Sequence, residues 1–508
     1  MAEIEVKLAT TPNHLQAMQK APLLRNASRP RSRLLDSVYF DTPHRKLRKH
    51  GISWRIRREG ESYTQTIKCE RPSVDGMMGR GEWEAEVAGP EPDLVAARRS
   101  DASSLLSKKL QRNLKPVFET QVERKALCLC SRGSEVELSF DEGCVRTEQE
   151  SEEISELEIE LKAGSRAELF RLAREFARTA PVRLMLRSKA ARGYGLIDGR
   201  SATAAKAGAV ELRRRADAVT AFARIAESCL RQVIDNWEAV NRADAEGIHE
   251  MRIGLRRLRA ALSLFKDLLQ GPELANIKAG LKWLTDELAS ARQLDVLETR
   301  AIGPMRASKA SIHSFDRLDE EMARRRGEAE DRAKATISSV RFRDLLLDTA
   351  EWIETGSWRS SIGDHRMDRL AREMLSRRAA KLLKRGRKLR ELSVGKRHKL
   401  RIAAKKLRYG VEFFADLFPK ARARRARKDF LHALKRLQGR LGSLNDIAAH
   451  QQYCVSLARE TPPANGKAEI AFLAGAISAK EEARIDALLR ASERAYDDLI
   501  EARTFWKS

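Results

Sequence analysis

Charged residues at every second position recur through the first 163 residues, and this alternation constrains the fold more than any other feature. The segment EIEVK alternates Glu3, Glu5 and Lys7 with Ile4 and Val6. Residues two apart lie on one face of a β-strand, so each such segment predicts a strand with one charged and one apolar face. The same alternation continues, in order, in SWRIRRE, SYTQTIK, GEWEAEV, EVELSFD and SELEIEL.

Several of these charged faces carry a single sign. GEWEAEV and SELEIEL place only acids there, whereas SWRIRRE places Arg55 and Arg57. A solvated face is the alternative for any one strand. If the sheet closes into a barrel, however, faces of a single sign meet inside it and can bind ions of the opposite sign. Carboxylates then bind divalent cations, and Arg and Lys bind phosphate oxygens. We therefore predict a sheet closed into a barrel, with covering helices near residues 12–20, 92–110 and 165–178.

Seven segments follow one another as they do in the CYTH family of triphosphate tunnel metalloenzymes, which this part of the chain resembles. They are EIEVK, YFDTP at 39–43, RIR at 55–57, RGEWE at 80–84, FETQVER at 118–124, ELEIELKAG at 156–164 and SKAARGY at 188–194. The resemblance covers residues 1–198. It implies an antiparallel β-barrel tunnel that binds triphosphate and a divalent cation, Mg²⁺ or Mn²⁺. Hydrolysis of a phosphoanhydride needs no protein nucleophile, and the sequence offers no competing nucleophile and base.

The same resemblance implies roles for the charged side chains. The catalytic candidates are Glu5, Glu158 and Lys7. The metal candidates are Glu3, Glu5, Glu158 and Glu160, with Glu82, Glu84 and Asp141 completing a second cation site. The triphosphate-binding candidates are Lys7, Arg55, Arg57, Lys68, Arg80, Arg124 and Lys189. Arg192, Gly193 and Tyr194 match the family motif but receive no chemical role.

After residue 198 the composition becomes helical and strongly basic. GRSATAAKAGAVEL at 199–212 is small and polar and predicts a linker. Beyond it, Ala, Leu, Arg, Lys and Glu recur with helical periodicity. Residues 201–508 hold 62 basic and 42 acidic residues, a net charge of +20, against 36 and 30 (+6) for residues 1–200. A surface that basic attracts polyanions.

Two pairs of segments repeat within this basic part. HEMRIGLRRLRAAL, from His249, returns as HKLRIAAKKLRYGV from His398, 149 residues later. LKWLTDELASARQLD at 281–295 returns as LKRLQGRLGSLND at 434–446. At 100° per residue, the first pair separates an apolar arc from a basic one. The repeat predicts duplicated, pseudo-symmetric helical bundles at about 213–355 and 365–506.

These repeats resemble the CHAD domain over residues 210–506, which implies polyphosphate binding. A solvated face is again the alternative for one helix alone. The polyphosphate-binding candidates are His249, Arg252, Arg256, Arg259, His398, Arg401, Lys405 and Arg408. Gln293 stands where the family pattern has Asp, whereas Asp446 keeps that acid in the second copy. Because histidine titrates near pH ~6.5, the two histidines are expected to strengthen binding as the pH falls.

The chain is thus predicted to be a multidomain α+β protein with a tunnel domain at 1–198, a linker at 199–212 and an all-α domain at 213–506. We expect a cytoplasmic inorganic triphosphatase that binds polyphosphate and associates with polyphosphate granules. Its cysteines form no CxxC pair, and no apolar run reaches the roughly 18 residues of a membrane span. The alternatives are nucleotide or thiamine triphosphate hydrolysis or nucleotide cyclisation in the tunnel, or a non-catalytic polyphosphate or RNA scaffold. Scarce aromatics, 6% of residues, disfavour RNA.

Overall fold

A computed structural model describes residues 2–69, 79–98, 110, 112–199, 203–307, 315–362 and 365–507. The chain forms two compact units, and neither is continuous in sequence. The first comprises Met1–Ala205 and Val340–Gly356, and the second comprises Lys206–Ser339 and Ser357–Ser508. Within the described residues, no helix combines the length and apolar character needed to cross a bilayer.

The first unit is built on an antiparallel sheet. Its described strands are β1 (Ala2–Ala9), β2 (Arg31–Asp41), β3 (Ile52–Glu59), β4 (Ser62–Cys69), β5 (Gly79–Val87), β6 (Lys115–Ser131), β7 (Ser134–Arg146), β8 (Ser151–Ala163) and β9 (Arg183–Met185). Their order is β5-β4-β3-β2-β6-β7-β8-β1-β9, and a short pairing of β1 with β5 joins Ile4 to Gly79. That pairing connects β5, at one end of the strand order, to β1 near the other end. The sheet is therefore tunnel-like, as the alternating segments predict.

The apolar and polar faces of the strands are inverted relative to an ordinary water-facing sheet. Apolar residues such as Val6, Trp54 and Ile159 are fully buried beneath covering elements. The polar residues between them line an internal cavity. The helices of this part are α1 (Pro12–Gln19), α2 (Lys46–Lys49), α3 (Leu94–Ala97), α4 (Arg166–Thr179) and α5 (Lys189–Ile197).

Two of the predicted covering helices are present as α1 and α4. Thr11 caps α1 and Pro12 opens it, as the sequence indicates. Helix α4 begins after the cap Ser165 and buries Phe170 and Phe176 on its apolar face. The predicted helix at 92–110 is helical at Leu94–Ala97, and most of its remainder lies outside the described residues.

Residues of the motifs YFDTP and SKAARGY hold α5 against the sheet. Asp41 is fully buried and accepts hydrogen bonds from the backbone of Leu47 and from the Tyr194 hydroxyl, the latter at 2.9 Å. A side chain at Gly193 would collide with the ring of Phe118, since a Cβ there would lie 2.3 Å from it. The RGY residues therefore hold structure together, and Gly193 permits the close approach.

The remaining helices are α6 (Ala218–Asp235), α7 (Trp237–Asn241), α8 (Ala245–Leu264), α9 (Glu273–Glu287), α10 (Ala289–Leu297), α11 (Gly303–Arg306), α12 (Asp316–Ile337), α13 (Val340–Thr355), α14 (Trp358–Ser361), α15 (Met367–Gly386), α16 (Val394–Phe413), α17 (Ala421–Glu460), α18 (Lys467–Glu482) and α19 (Ile485–Glu501). Helix α13 belongs to the first unit and packs on α4 and β9. Its Glu354 is buried and pairs with Arg166 at 2.9 Å.

The repeated segments form α8 and α16, which pack against each other. The predicted apolar arcs are buried in both helices, and consist of Met251, Leu255, Leu258 and Leu262 in α8 and Leu400, Ala404, Leu407 and Val411 in α16. The second unit is therefore helical and built around a shared apolar core, which confirms the predicted fold class.

Candidate functional site

The inside of the tunnel-like sheet holds a cavity of about 520 Å³ with a charged lining. Cross-strand register decides which charges meet, because Lys7 lies opposite Glu158 and Arg124 lies opposite Asp141. The cavity is lined by these predicted site residues: Glu5, Lys7, Arg55, Arg57, Lys68, Glu82, Glu84, Arg124, Asp141, Glu158, Glu160 and Lys189. Glu3 and Arg80 pair through their backbones, and their side chains lie outside the described part of the structure.

Three buried carboxylates converge beside this cavity, and two of them, Asp141 and Glu158, line it. Ligand atoms of Asp141, Glu156 and Glu158 lie within 4.8 Å of one another. The Lys189 ammonium lies 2.7 Å from Asp141, 2.5 Å from Glu156 and 2.9 Å from Glu158. Such a set of oxygens fits a divalent cation such as Mg²⁺. Sequence reasoning left Glu156 out of the metal candidates, although the SELEIEL stripe contains it.

Glu158 is the centre of this network. The Lys7 ammonium lies 2.5 Å from Glu158 and 3.3 Å from Glu5. Burial opposes ionisation of Glu158, but Lys189, Lys7 and Arg124 outweigh it and hold its pKa well below the usual value. The Glu158 carboxylate is therefore ionised at neutral pH and available as a metal ligand.

The guanidinium of Arg124 links two of the acids. It donates to both carboxylate oxygens of Asp141, at 2.7 and 2.6 Å, and to Glu158 at 2.5 Å. Burial lowers its pKa, but Glu158 and Asp141 raise it well above the ordinary value. Arg192, the first residue of the RGY motif, lies 3.2 Å from Glu156. The acid cluster is thus held by cations on several sides.

The metal candidates Glu82 and Glu84 lie among bases. Lys68 pairs with Glu82 at 2.9 Å, and Arg55 lies 3.9 Å from both Glu82 and Glu84. In the described residues Glu82 and Glu84 do not join Asp141 in a ligand group; Asp141 groups with Glu156 and Glu158 instead. Glu5 and Glu160 line the cavity outside that group, and Glu160 pairs with Lys162 at 2.7 Å.

Two arginines in the cavity keep unused hydrogen-bond donors. Among the described residues, the Nε atoms of Arg55 and Arg57 are buried without a hydrogen-bond partner. Burial, then Arg55 and Arg124, lowers the pKa of Arg57 to about 10. A bound anion would relieve both the repulsion and the missing hydrogen bonds. The cavity therefore combines a carboxylate wall with cations that fit phosphate oxygens.

In the helical unit, the basic arcs of α8 and α16 converge on one surface. We call this surface the basic face, and it comprises His249, Arg252, Arg256, Arg401, Lys405 and Arg408. Among the described residues, the four arginine Nε atoms and His249 Nδ1 are buried without a hydrogen-bond partner. Glu412, 3.2 Å from Arg408, is the acid that pairs with this face.

Burial and mutual repulsion lower the pKa values of several side chains in the basic face. Burial, then Arg292 and Arg256, lowers the pKa of His249 to about 4. Burial and then Arg256 lower the pKa of Arg252 to about 10. The pKa of Lys405 falls to about 7 because of burial, Arg401 and Arg256. A bound polyanion would stabilise such a crowded set of half-buried cations. Arg292 is a neighbour that sequence reasoning missed.

Two further candidates are exposed. Arg259 is exposed and donates to Thr285 at 3.4 Å. His398 is exposed, and its Nδ1 lies 2.6 Å from the Asn445 amide oxygen. Asp446, the acid that the second copy keeps, pairs with Arg300. The predicted set therefore divides into a half-buried cluster and a solvent-facing margin.

The fold and the two charge clusters define a class of protein: an acid- and base-lined tunnel followed by a helical domain with a basic face. Residues 1–194 match the CYTH domain family, and residues 224–454 match the CHAD domain family. The chain therefore belongs to the proteins that join a CYTH domain to a CHAD domain, in that order.

Two known proteins are similar to parts of this chain. An inorganic triphosphatase of Haemophilus influenzae is 30% identical over 204 residues, which is 38% of this chain and 54% of that protein. The chain thus spans about half the length of that curated relative. The crystal structure of the CHAD domain from the plant Ricinus communis matches with a TM-score of 0.50 and 28% identity, covering 58% of this chain and 96% of that chain.

Proposed function

We propose that the tunnel hydrolyses inorganic triphosphate with a divalent cation, Mg²⁺ or Mn²⁺, and that the basic face binds polyphosphate. One observation carries the first part: Asp141 and Glu158, which group with Glu156, line the same cavity as Arg55 and Arg57, whose Nε atoms have no hydrogen-bond partner among the described residues. Carboxylates alone repel a polyanion, so acids and bases in one cavity fit a substrate that arrives with a metal.

The charged residues of the tunnel have separate proposed roles. Asp141, Glu156 and Glu158 would hold the cation, which when bound neutralises phosphate charge and activates water. Arg55, Arg57 and Lys68 would bind phosphate oxygens across the cavity. Lys7 and Arg124 keep Glu158 ionised and stand beside the reacting phosphate, where their charge stabilises the transition state.

The test is phosphate release from triphosphate, ATP and thiamine triphosphate by the full chain, with Mg²⁺, with Mn²⁺ and with EDTA. Triphosphate should have the highest kcat/KM, since the charged lining offers contacts to phosphate oxygens. Glu158→Gln should lose metal-dependent turnover. Glu123→Gln, an exposed residue of β6 outside the cavity lining, serves as the matched control. A higher kcat/KM for ATP, or a cyclic nucleotide product, would assign the tunnel to nucleotide chemistry.

The proposal for the basic face rests on half-buried cations from two helices that outnumber the acid paired with them, Glu412. Arg252→Ala combined with Arg401→Ala should weaken polyphosphate binding far more than Arg424→Ala with Arg425→Ala, two exposed arginines of α17. The titration uses the full chain with metal chelated, so that hydrolysis does not interfere. Equal losses in both pairs would reduce the surface to diffuse charge and make RNA an equally good partner.

A further inference from the structure

A second charged groove lies beside α17 and α18, and its lining includes no residue of the basic face. Its volume is about 520 Å³. Helix α17 lines it with Gly439, Ser443, Asp446 and His450, which are spaced by three or four residues and so share one side of the helix. Glu481 of α18 faces them. The groove is therefore a defined cavity between helices.

Cations outnumber acids in this groove. Its cationic side chains are Arg300, Lys435, Arg436, Arg440 and Arg484. The two acids are already engaged, since Asp446 pairs with Arg300 and Glu481 lies 2.7 Å from His450. Among the described residues, Lys435 and Arg440 form no ion pair. The groove thus keeps an excess of positive charge, which disfavours a metal ion and favours an anion.

His450 is the buried polar group at the end of the groove. Its Nδ1 lies 2.7 Å from Oε2 of Glu481, and both residues are buried. A carboxylate accepts hydrogen bonds, so Nδ1 carries the proton and the ring is held in one orientation. Within the part of the chain that the structure describes, Nε2 has no hydrogen-bond partner. A ligand that bonds to Nε2 would remove the cost of that unpaired atom.

We propose that this groove is a second phosphate-binding site, in which His450, Lys435 and Arg440 bind phosphate oxygens. With Nδ1 bonded to Glu481, Nε2 is the ring atom left to bond with a phosphate oxygen. Inorganic phosphate and a segment of polyphosphate share this chemistry. The site shares no residue with the tunnel or with the basic face, although its Asp446 and Arg300 act electrostatically on Arg401 of that face.

The test follows the imidazole itself by NMR in the full chain with ¹⁵N-labelled histidine rings and metal chelated. The chain has nine histidines, and the resonance that is lost in His450→Gln belongs to His450. Titration with inorganic phosphate, triphosphate or long polyphosphate should shift the His450 Nε2 resonance to saturation. A response to inorganic phosphate identifies a small-anion site, and a response to long polyphosphate alone identifies a polymer site.

Gly439 offers a variant that fills the groove without changing its charge. A Cβ at Gly439 has no atom within 4 Å, so Gly439→Leu should fit without collision. Phosphate affinity at His450 should fall roughly tenfold or more, through lost contacts to charged groups. Gly475→Leu on α18 is the control, since its Cβ also meets open space and it lies outside the groove lining.

Two results would overturn the proposal. One is a His450 resonance that no phosphate shifts, and the other is undiminished affinity in Gly439→Leu. The variant with Arg252→Ala and Arg401→Ala should keep the His450 response to inorganic phosphate or to a polymer end. Loss of polyphosphate binding at the basic face, or of triphosphate hydrolysis in the tunnel, therefore leaves this measurement intact.

Discussion

Lys405 lies inside the basic face and loses its proton near neutral pH, which makes polyphosphate binding depend on pH. Burial, then Arg401 and Arg256, lowers its pKa to about 7. The free protein therefore holds Lys405 mostly neutral above that pH. A bound polyanion favours the ammonium form, so binding takes up a proton when the pH exceeds the pKa of the free side chain.

The magnitude follows from this linkage. If the bound side chain stays protonated, the binding constant is proportional to the fraction of free protein in which Lys405 is charged. With a pKa of about 7, that fraction falls from about nine-tenths near pH 6 to about one-tenth near pH 8. The polyphosphate binding constant should therefore fall about tenfold over this interval. Binding is strongest on the acid side.

The assay is a polyphosphate titration of the full chain at fixed ionic strength, with metal chelated, at several pH values across this interval. Lys405→Arg keeps its charge throughout and should flatten the pH dependence while retaining binding. Lys405→Gln should weaken binding mainly at the acid end. His249→Ala should leave most of the slope in place, because bound phosphate must raise the pKa of His249 from about 4 into the tested interval before this ring takes up a proton there. A full slope that persists in Lys405→Arg would refute the reasoning.

Three further predictions concern the tunnel unit. Lys189→Met should tighten Mn²⁺ binding measured by calorimetry without phosphate, because it removes the ammonium that occupies the carboxylate cluster; unchanged or weaker binding would contradict this. Arg57→Met should lower kcat/KM for triphosphate roughly tenfold to a hundredfold. Arg58→Met, which changes an exposed arginine of the same strand, should have little effect in the same assay. Tyr194→Phe should cost about 1–3 kcal/mol in urea unfolding by removing the hydrogen bond to buried Asp41, with turnover per folded molecule retained; equal stability would refute that role.

The period-two alternation accounts for how much of the tunnel can be read from sequence. It decides which side chains of each strand face inward, so the charged positions of β1, β3, β4, β5, β7 and β8 line one cavity. It says little about which strands are neighbours. Strand pairing places Lys7 opposite Glu158 and Asp141 opposite Glu156. For that reason the ligand group containing Glu156, and the position of Lys189 among three carboxylates, emerge only from the fold.

In the helical unit, too, the sequence predicts the faces of each helix but not which helices pack together. The 3.6-residue period of the repeats predicts the buried and basic arcs of α8 and α16 correctly. It does not predict that the two helices pack together, nor that Arg292 adds to the repulsion at His249. The lowered pKa values arise first from burial and then from cations that distant segments bring together. The structure therefore adds Lys405, which the sequence marks as an ordinary lysine, to the groups expected to make binding depend on pH.

The central claim is that the tunnel couples a metal held by carboxylates to triphosphate hydrolysis. The most direct test is phosphate release from triphosphate by the full chain, measured with Mg²⁺ or Mn²⁺ and again with EDTA, in the native protein and in Glu156→Gln. Glu156 is the cluster member that only the fold reveals. The account predicts rapid release with metal, loss in EDTA and a severe loss in Glu156→Gln at saturating metal. Phosphate release that survives EDTA, or full turnover in Glu156→Gln, would contradict it.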